Sequence, residues 1–159
     1  MIICLGLLAL PGLATAGSQS TTMDVTITLT ENVSVSVTSM AFGDMPPGVD
    51  SLAANTTITV TADLGITYYI ALDAGLHYFD GARSFDGELL VYELTDTSTG
   101  ALLGDNGYGN TYTNGQPLGP YTGVGSTESY GIRGLALLAG TTRPTPGSYS
   151  DTVTVTVHY

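Results

Sequence analysis

Residues 152–159 alternate strictly: Val153, Val155, Val157 and Tyr159 face one way, and Thr152, Thr154, Thr156 and His158 the other. Period-two alternation with a single apolar face predicts a half-buried β-strand, drawn here from Tyr149 to Tyr159. A second alternating run lies near the other end, with Met23, Val25, Ile27 and Leu29 set against Thr22, Asp24, Thr26, Thr28 and Thr30. That run has no evident partner of its own. A fold that closes on one such strand and carries a spare one at its head predicts subunits that complete one another by exchanging strands. The competing expectation is that Thr21–Thr30 pairs within its own domain as a first strand.

No segment reads as helix, because Gly, Thr, Ser and Asn are dense throughout and the apolar residues recur in twos. Strands are predicted at Val33–Thr38, Thr56–Ala62, Thr67–Asp73, Leu89–Leu94, Glu128–Leu138 and Ser148–Tyr159. Turn clusters separate them, among them Gly43–Gly48, Asp63-Leu64-Gly65, Asp80-Gly81, Thr99-Gly100 and Pro144–Gly147. Short strands punctuated in this way predict an all-β chain, an antiparallel sandwich of immunoglobulin-like type. Gly104–Gly125 is rich in glycine and tyrosine without a clear period and is read as a long surface connection.

The first sixteen residues are set apart from the fold. Met1–Ala16 is apolar and ends in Ala14-Thr15-Ala16, which fits the small-x-small cleavage rule of a secretory signal. Pro11 and Gly12 interrupt it, and it is too short to span a bilayer well as a helix. No Lys or Arg precedes the apolar core, so a start codon upstream of Met1 is expected. Removal of residues 1–16 leaves an extension at 17–32 and one domain at 33–159, enough chain to bury roughly two-thirds of its unfolded surface. The single cysteine, Cys4, falls inside the signal, so the mature chain is expected to hold itself together without a disulfide.

Charge removes several classes of partner. Fourteen acidic residues face three arginines and no lysine, a formal net charge of −11. Nucleic acids are excluded, because phosphate binding rests on clustered Lys and Arg. Anionic membrane surfaces are disfavoured on the same ground. Without lysine, edge strands also lack their commonest protection against pairing with another chain.

Four blocks in order along the chain resemble one family. They are Val35–Gly43 ending Met40-Ala41-Phe42-Gly43, then Ile58–Gly75, then Leu90-Val91-Tyr92-Glu93-Leu94 with Gly104-Asp105. The fourth and most specific joins Tyr130-Gly131-Ile132-Arg133 to Pro146-Gly147-Ser148-Tyr149-Ser150-Asp151-Thr152-Val153-Thr154-Val155. Together they resemble the spore coat protein U domain, the fold of archaic chaperone–usher pilus subunits.

What the resemblance implies is an incomplete immunoglobulin-like sandwich completed by donor-strand exchange. Its partners would be a periplasmic chaperone, an outer-membrane usher and identical or related pilin subunits, giving a homo-polymer exported through the periplasm to a cell-surface fibre. Such a fibre would serve adhesion and biofilm formation; a spore or cell coat protein of the same fold is the alternative within the family. The donor would be Thr21–Thr30 with Met23, Val25, Ile27 and Leu29 as pocket-filling side chains, and Glu31 and Asn32 the link to the body. The acceptor groove would draw on Val153, Val155, Val157 and Tyr159 of the last strand and Val33, Val35 and Val37 of the first. The chain departs from the family where members carry two cysteines, here matched by Val33 and Ala62, and a tryptophan, here Leu103.

Catalysis and cofactors are not expected. The two histidines, His77 and His158, are not accompanied by a nucleophile-elbow motif, and zinc has neither cysteines nor histidines at ligand spacing. Asp80, Asp86, Glu88, Asp105 and Asn106 lie near Gly-containing turns but lack an EF-hand pattern, and read as turn formers. Tyr108, Tyr112 and Tyr121 in the long connection could stack on sugars, as in a glycan-binding module, or pack the loop on its own sandwich.

Overall fold

The computed structural model describes residues 21–86 and 89–159; the expected signal at 1–16 lies outside them. The elements are strands: β1 (Val33–Val37), β2 (Ser51–Ala62), β3 (Thr67–Leu72), β4 (Tyr78–Phe79), β5 (Ala82–Ser84), β6 (Leu90–Asp96), β7 (Leu118–Thr122), β8 (Thr127–Leu138) and β9 (Val155–His158). Six of them form one sheet in the order β1-β2-β8-β6-β5-β4, and three form a second in the order β7-β3-β9. Each ladder is antiparallel.

The alternation seen in the sequence decides which face each strand buries. In β2 the even positions from Leu52 to Ala62 point inward, and in β8 the even positions from Tyr130 to Leu138 do the same. Because Thr56 pairs with Ile132 and Ile58 with Tyr130, the two rows share one face. Opposite them, Tyr68, Ile70 and Leu72 of β3 complete a core in which Val60, Tyr68 and Ile70 are fully buried. Each such side chain stabilises the fold by about 1.5–3 kcal/mol on burial. The buried Tyr68 carries its hydroxyl to Tyr130 Oη at 2.5 Å and donates to Glu128 Oε2 at 2.9 Å. Burial first, and these two bonds second, hold that phenol well above the ordinary tyrosine pKa.

β2 sets the two poles of the molecule. Ala62 at its upper end pairs with Val33, and Ser51 at its lower end pairs with Leu137, roughly 36 Å apart at the usual rise per residue. The positions matched to the family's cysteines are therefore directly opposed. At the upper pole the turn after β2 is tied to the chain entering β1, with Asp63 Oδ2 accepting from Asn32 N at 3.0 Å.

The last strand is shorter than the alternation predicts. Residues 149–154 are not strand, and β9 begins only at Val155. The cause is its neighbour: β3 ends at Leu72, and the chain turns through Asp73 and Gly75, the latter at φ +81°. Asp73 Oδ1 then accepts from both Gly75 N and Thr154 N, while Thr154 O and Thr152 O receive Asp73 N and Leu76 N. An irregular set of bonds replaces the ladder, yet inward Val153 and outward Thr152 and Thr154 keep the predicted alternation.

Three further differences arise from weak local signals. β2 starts five residues before the predicted Thr56, because Ala53-Ala54-Asn55 carries little β-propensity. The short β4–β5 hairpin is new. The long connection is not merely superficial: it contains β7 and buries Asp105, Tyr112 and Leu118. Asp105 organises it, its carboxylate accepting from Thr111 N, Thr111 Oγ1 and Tyr112 N at 2.9, 2.8 and 2.6 Å. Burial opposes ionisation of that carboxyl, but these donors outweigh it and hold the pKa below the usual range. The result is an all-β, antiparallel sandwich of a six-stranded and a three-stranded sheet.

Candidate functional site

Two strands lie at sheet edges on the same side of the sandwich, β1 on the larger sheet and β9 on the smaller. At the upper pole they approach each other, and Val33 and Val157 pack against the core. Towards the lower pole they part, and the space between them is an apolar groove of about 980 Å³. Its floor is the lower half of the six-stranded sheet: Leu52 and Ile58 of β2, Leu90 and Tyr92 of β6, Ala136 and Leu138 of β8. One wall is the end of β1 and the chain after it, from Val37 to Met45; the other is residues 143–153, leading into Val155.

Local sequence explains both walls. Met40 and Phe42 fold over Gly134 of β8, where any Cβ would collide with both side chains. Phe42, Phe85 and Tyr92 then form an aromatic cluster, with Phe42 edge-on to Phe85 at 5.7 Å and Phe85 tilted against Tyr92 at 4.9 Å. The second wall is pinned by Asp151. Its carboxylate accepts from Leu76 N, His77 N and His77 Nδ1, each at 3.0 Å, and from the Tyr92 hydroxyl at 2.5 Å. Burial, and then this bond to Asp151, push the Tyr92 phenol well above its ordinary pKa. The foot of the groove is bridged by Arg143, whose guanidinium donates to the carbonyls of Met45, Pro46 and Val49 at 3.0–3.2 Å.

Of the acceptor residues expected from the sequence, Val37, Val153 and Val155 line the groove. Val33 and Val157 instead pack on the core at the upper pole, Val35 is half exposed, and Tyr159 is largely exposed. The floor residues Leu52, Leu90 and Leu138 and the wall residues Met40 and Phe42 were not anticipated as groove. The alternation of Leu90, Tyr92 and Leu94 and the even row from Leu52 carry a signal for them, but inward-facing residues read as core unless the opposite sheet is known to end.

The N-terminal run forms no strand with its own body. Met23, Val25, Ile27 and Leu29 are each 82–85% exposed, and the first bond tying the tail to the domain is at Asn32. The tyrosines of the long connection turn inward. Tyr112 lies 2% exposed under Arg83, whose guanidinium sits 4.0 Å from the ring centroid. Tyr108 packs against Tyr69 and His158, and Tyr121 stacks on Tyr130 at 4.4 Å.

The model of the Spore Coat Protein U domain family matches residues 19–156. Among solved structures, the chain is similar to the CsuC–CsuE chaperone–tip adhesion subunit pre-assembly complex from the archaic chaperone–usher Csu pili of Acinetobacter baumannii. That similarity has a TM-score of 0.46 and 18% identity, over 80% of this chain and 40% of that one, so this chain spans well under half of its length. A search of the curated proteins found no match. The family match runs from the exposed tail through both walls and the floor of the groove, and on that extent the chain belongs to the spore coat protein U domain family, a family of structural proteins rather than enzymes.

Proposed function

We propose that this chain is a structural subunit of a secreted surface fibre, an archaic chaperone–usher pilus serving adhesion and biofilm formation, and that it polymerises by donor-strand complementation. The observation that carries the reading is the pairing of an open apolar groove between two sheet-edge strands, unpaired on that side among the described residues, with an exposed alternating tail on the same chain. The tail Thr21–Thr30 of one copy enters the groove of the next, adding its backbone to the free edge of β9 and its apolar side chains to the floor. Burying Met23, Val25, Ile27 and Leu29 contributes on the order of 6–12 kcal/mol before ordering costs. Until that happens a periplasmic chaperone shields the groove, and an outer-membrane usher is the site of exchange. Residues 1–16 act as the secretory signal, 17–32 as the donor and its link, and 33–159 as the acceptor domain.

The same fold would serve in a spore or cell coat, and the family's own description supports that second reading. Both share one test. A chain with Thr21–Thr30 appended after Tyr159 through a flexible linker, and with everything before Glu31 removed, is expected to be monomeric and several kcal/mol more stable to urea than the tail-less domain. No gain in stability, or continued polymerisation, would overturn strand donation.

A further inference from the structure

The foot of the groove carries a cation in a chain that has almost none. Of the three arginines, Arg83 is buried and Arg133 lies on β8 with its side chain exposed, leaving Arg143 at the groove. Arg143 is exposed, and its hydrogen-bond partners are neutral carbonyls. Asp44 and Asp151 also border the groove, yet among the described residues no carboxylate lies within 4.0 Å of the Arg143 guanidinium. It is a positive charge held in place by the loop after β1, with no acidic partner among the described residues.

Resting on the strand-donation reading, the direction of insertion follows from the poles. The tail leaves its own body at the upper pole, beside Asp63. If it entered the next groove parallel to β9, its C-terminal end would emerge at the acceptor's upper pole. Every subunit would then have two neighbours competing for one pole, and growth would stop at a pair. Insertion antiparallel to β9 brings Thr30 out at the lower pole, so that the upper pole of one copy meets the foot of the next and the chain of copies stays open. The ten residues Thr21–Thr30 extend roughly 33 Å, which matches the ten residues Ser150–Tyr159 alongside them. The residue that then leaves the groove at its foot is Glu31.

We infer that Arg143 is a specificity-determining residue of assembly, receiving the carboxylate of Glu31 from the tail of a second copy. An acidic chain that self-repels at −11 gains a local attraction at the point where two copies must come within a two-residue link of each other. A tail of suitable apolar pattern but with a basic residue at this position would be disfavoured, which lets the groove discriminate between donors.

The test uses the full chain, refolded by dilution from denaturant, with multimers followed as a ladder on gels run without heating. Glu31→Arg alone and Arg143→Glu alone are each expected to slow ladder growth about two- to fivefold at low salt, the range of an exposed ion pair. Mixed in equal amounts, the two slow variants should assemble faster than either alone, because every mixed contact restores opposite charges. The differences should largely vanish at about 0.5 M salt. Glu31 lies on the exposed tail, so its variant tests the contact even if Arg143→Glu disturbs the loop. Wild-type rates for Glu31→Arg, or a mixture no faster than its components, would overturn the inference while leaving strand donation standing. If the wild-type chain forms no multimers at all, strand donation itself falls and this contact falls with it.

Discussion

The upper and lower halves of this sandwich use the same six-stranded sheet and the same inward alternation, but differ in what lies opposite. In the upper half Val60 and Ala62 face Tyr68 and Ile70 of β3, and Val33 and Val157 close the side. In the lower half β3 has ended at Leu72 and β9 has not yet begun, while β2 runs on to Ser51 and β8 to Leu138. Leu52, Leu90 and Leu138 are therefore only half buried, beneath irregular chain. The incompleteness of this sandwich is local to its lower half. The closed half holds the fully buried core, and the open half leaves apolar surface uncovered.

The largest effect is expected at the boundary between the halves. Arg83 is fully buried and donates to Asp73 O, Leu103 O and Leu72 O at 2.8–2.9 Å, tying β5 to the point where β3 stops. Burial lowers its pKa, with Tyr112, Tyr92, Asp73 and Asp105 acting in the opposite sense; a guanidinium still stays charged. Arg83→Met leaves three buried carbonyls unpaired and uncovers Tyr112, a loss of about 3–5 kcal/mol in urea unfolding. A loss under about 1 kcal/mol would mean that the boundary is not held from β5.

The halves themselves are compared by one truncation in each. Ile70→Ala empties a fully buried site and should cost about 2–5 kcal/mol in a free subunit. Leu138→Ala, on the groove floor, should cost only about 1 kcal/mol there, because the site is open to solvent on one side. In multimers the order of sensitivity should shift: Leu138→Ala should speed dissociation while Ile70→Ala leaves it nearly unchanged. Equal costs in the free subunit would show that the lower half is closed in solution.

Much of the closed half was legible in the sequence, because alternation reports directly on strands with both a solvent face and a core face. Val33–Val37, Thr67–Leu72 and Thr127–Leu138 fall within a residue or so of expectation. The groove was legible only in part. Val153 and Val155 could be named since they alternate on the last strand, whereas Leu52 and Leu138 look the same in sequence whether a sheet, a loop or another molecule covers them. The loop tyrosines were ambiguous for a related reason: whether Tyr112 meets a sugar or an internal cation depends on where Arg83 lies, and no spacing reveals that.

A smaller stabilisation should come from joining the opposed pair at the upper pole. Val33 and Ala62 stand where the family resemblance places two cysteines, and they face each other across the β1–β2 ladder. Cysteines at both positions would close a loop of about thirty residues, worth about 2–4 kcal/mol if the bond forms without strain. Because the pair sits in the closed half, the oxidised variant should unfold at higher urea yet show an unchanged rate of multimer growth. A change in assembly rate would mean that β1 moves as a whole when the groove is filled.

The smallest expected effect is on pH dependence, and it separates a loop from the cores of both halves. The Asp96 and Asp105 carboxyls each pay a burial cost that hydroxyl and backbone donors outweigh, so both lie below their ordinary pKa in the folded chain. A depressed carboxyl contributes in full above about pH 4 and loses that contribution as the pH falls through its folded value. Acid should therefore loosen the long connection first. Asp105→Asn should flatten that acid limb at a cost of about 1 kcal/mol at neutral pH. Tyr68 in the closed half and Tyr92 on the groove floor are shifted upward, so their contribution is complete below about pH 10 and is lost as the pH rises beyond it. Urea midpoints across this range should fall at both extremes. Filling the groove with a donor should protect Tyr92, at its floor, against the alkaline fall and leave the Asp105 acid limb where it was.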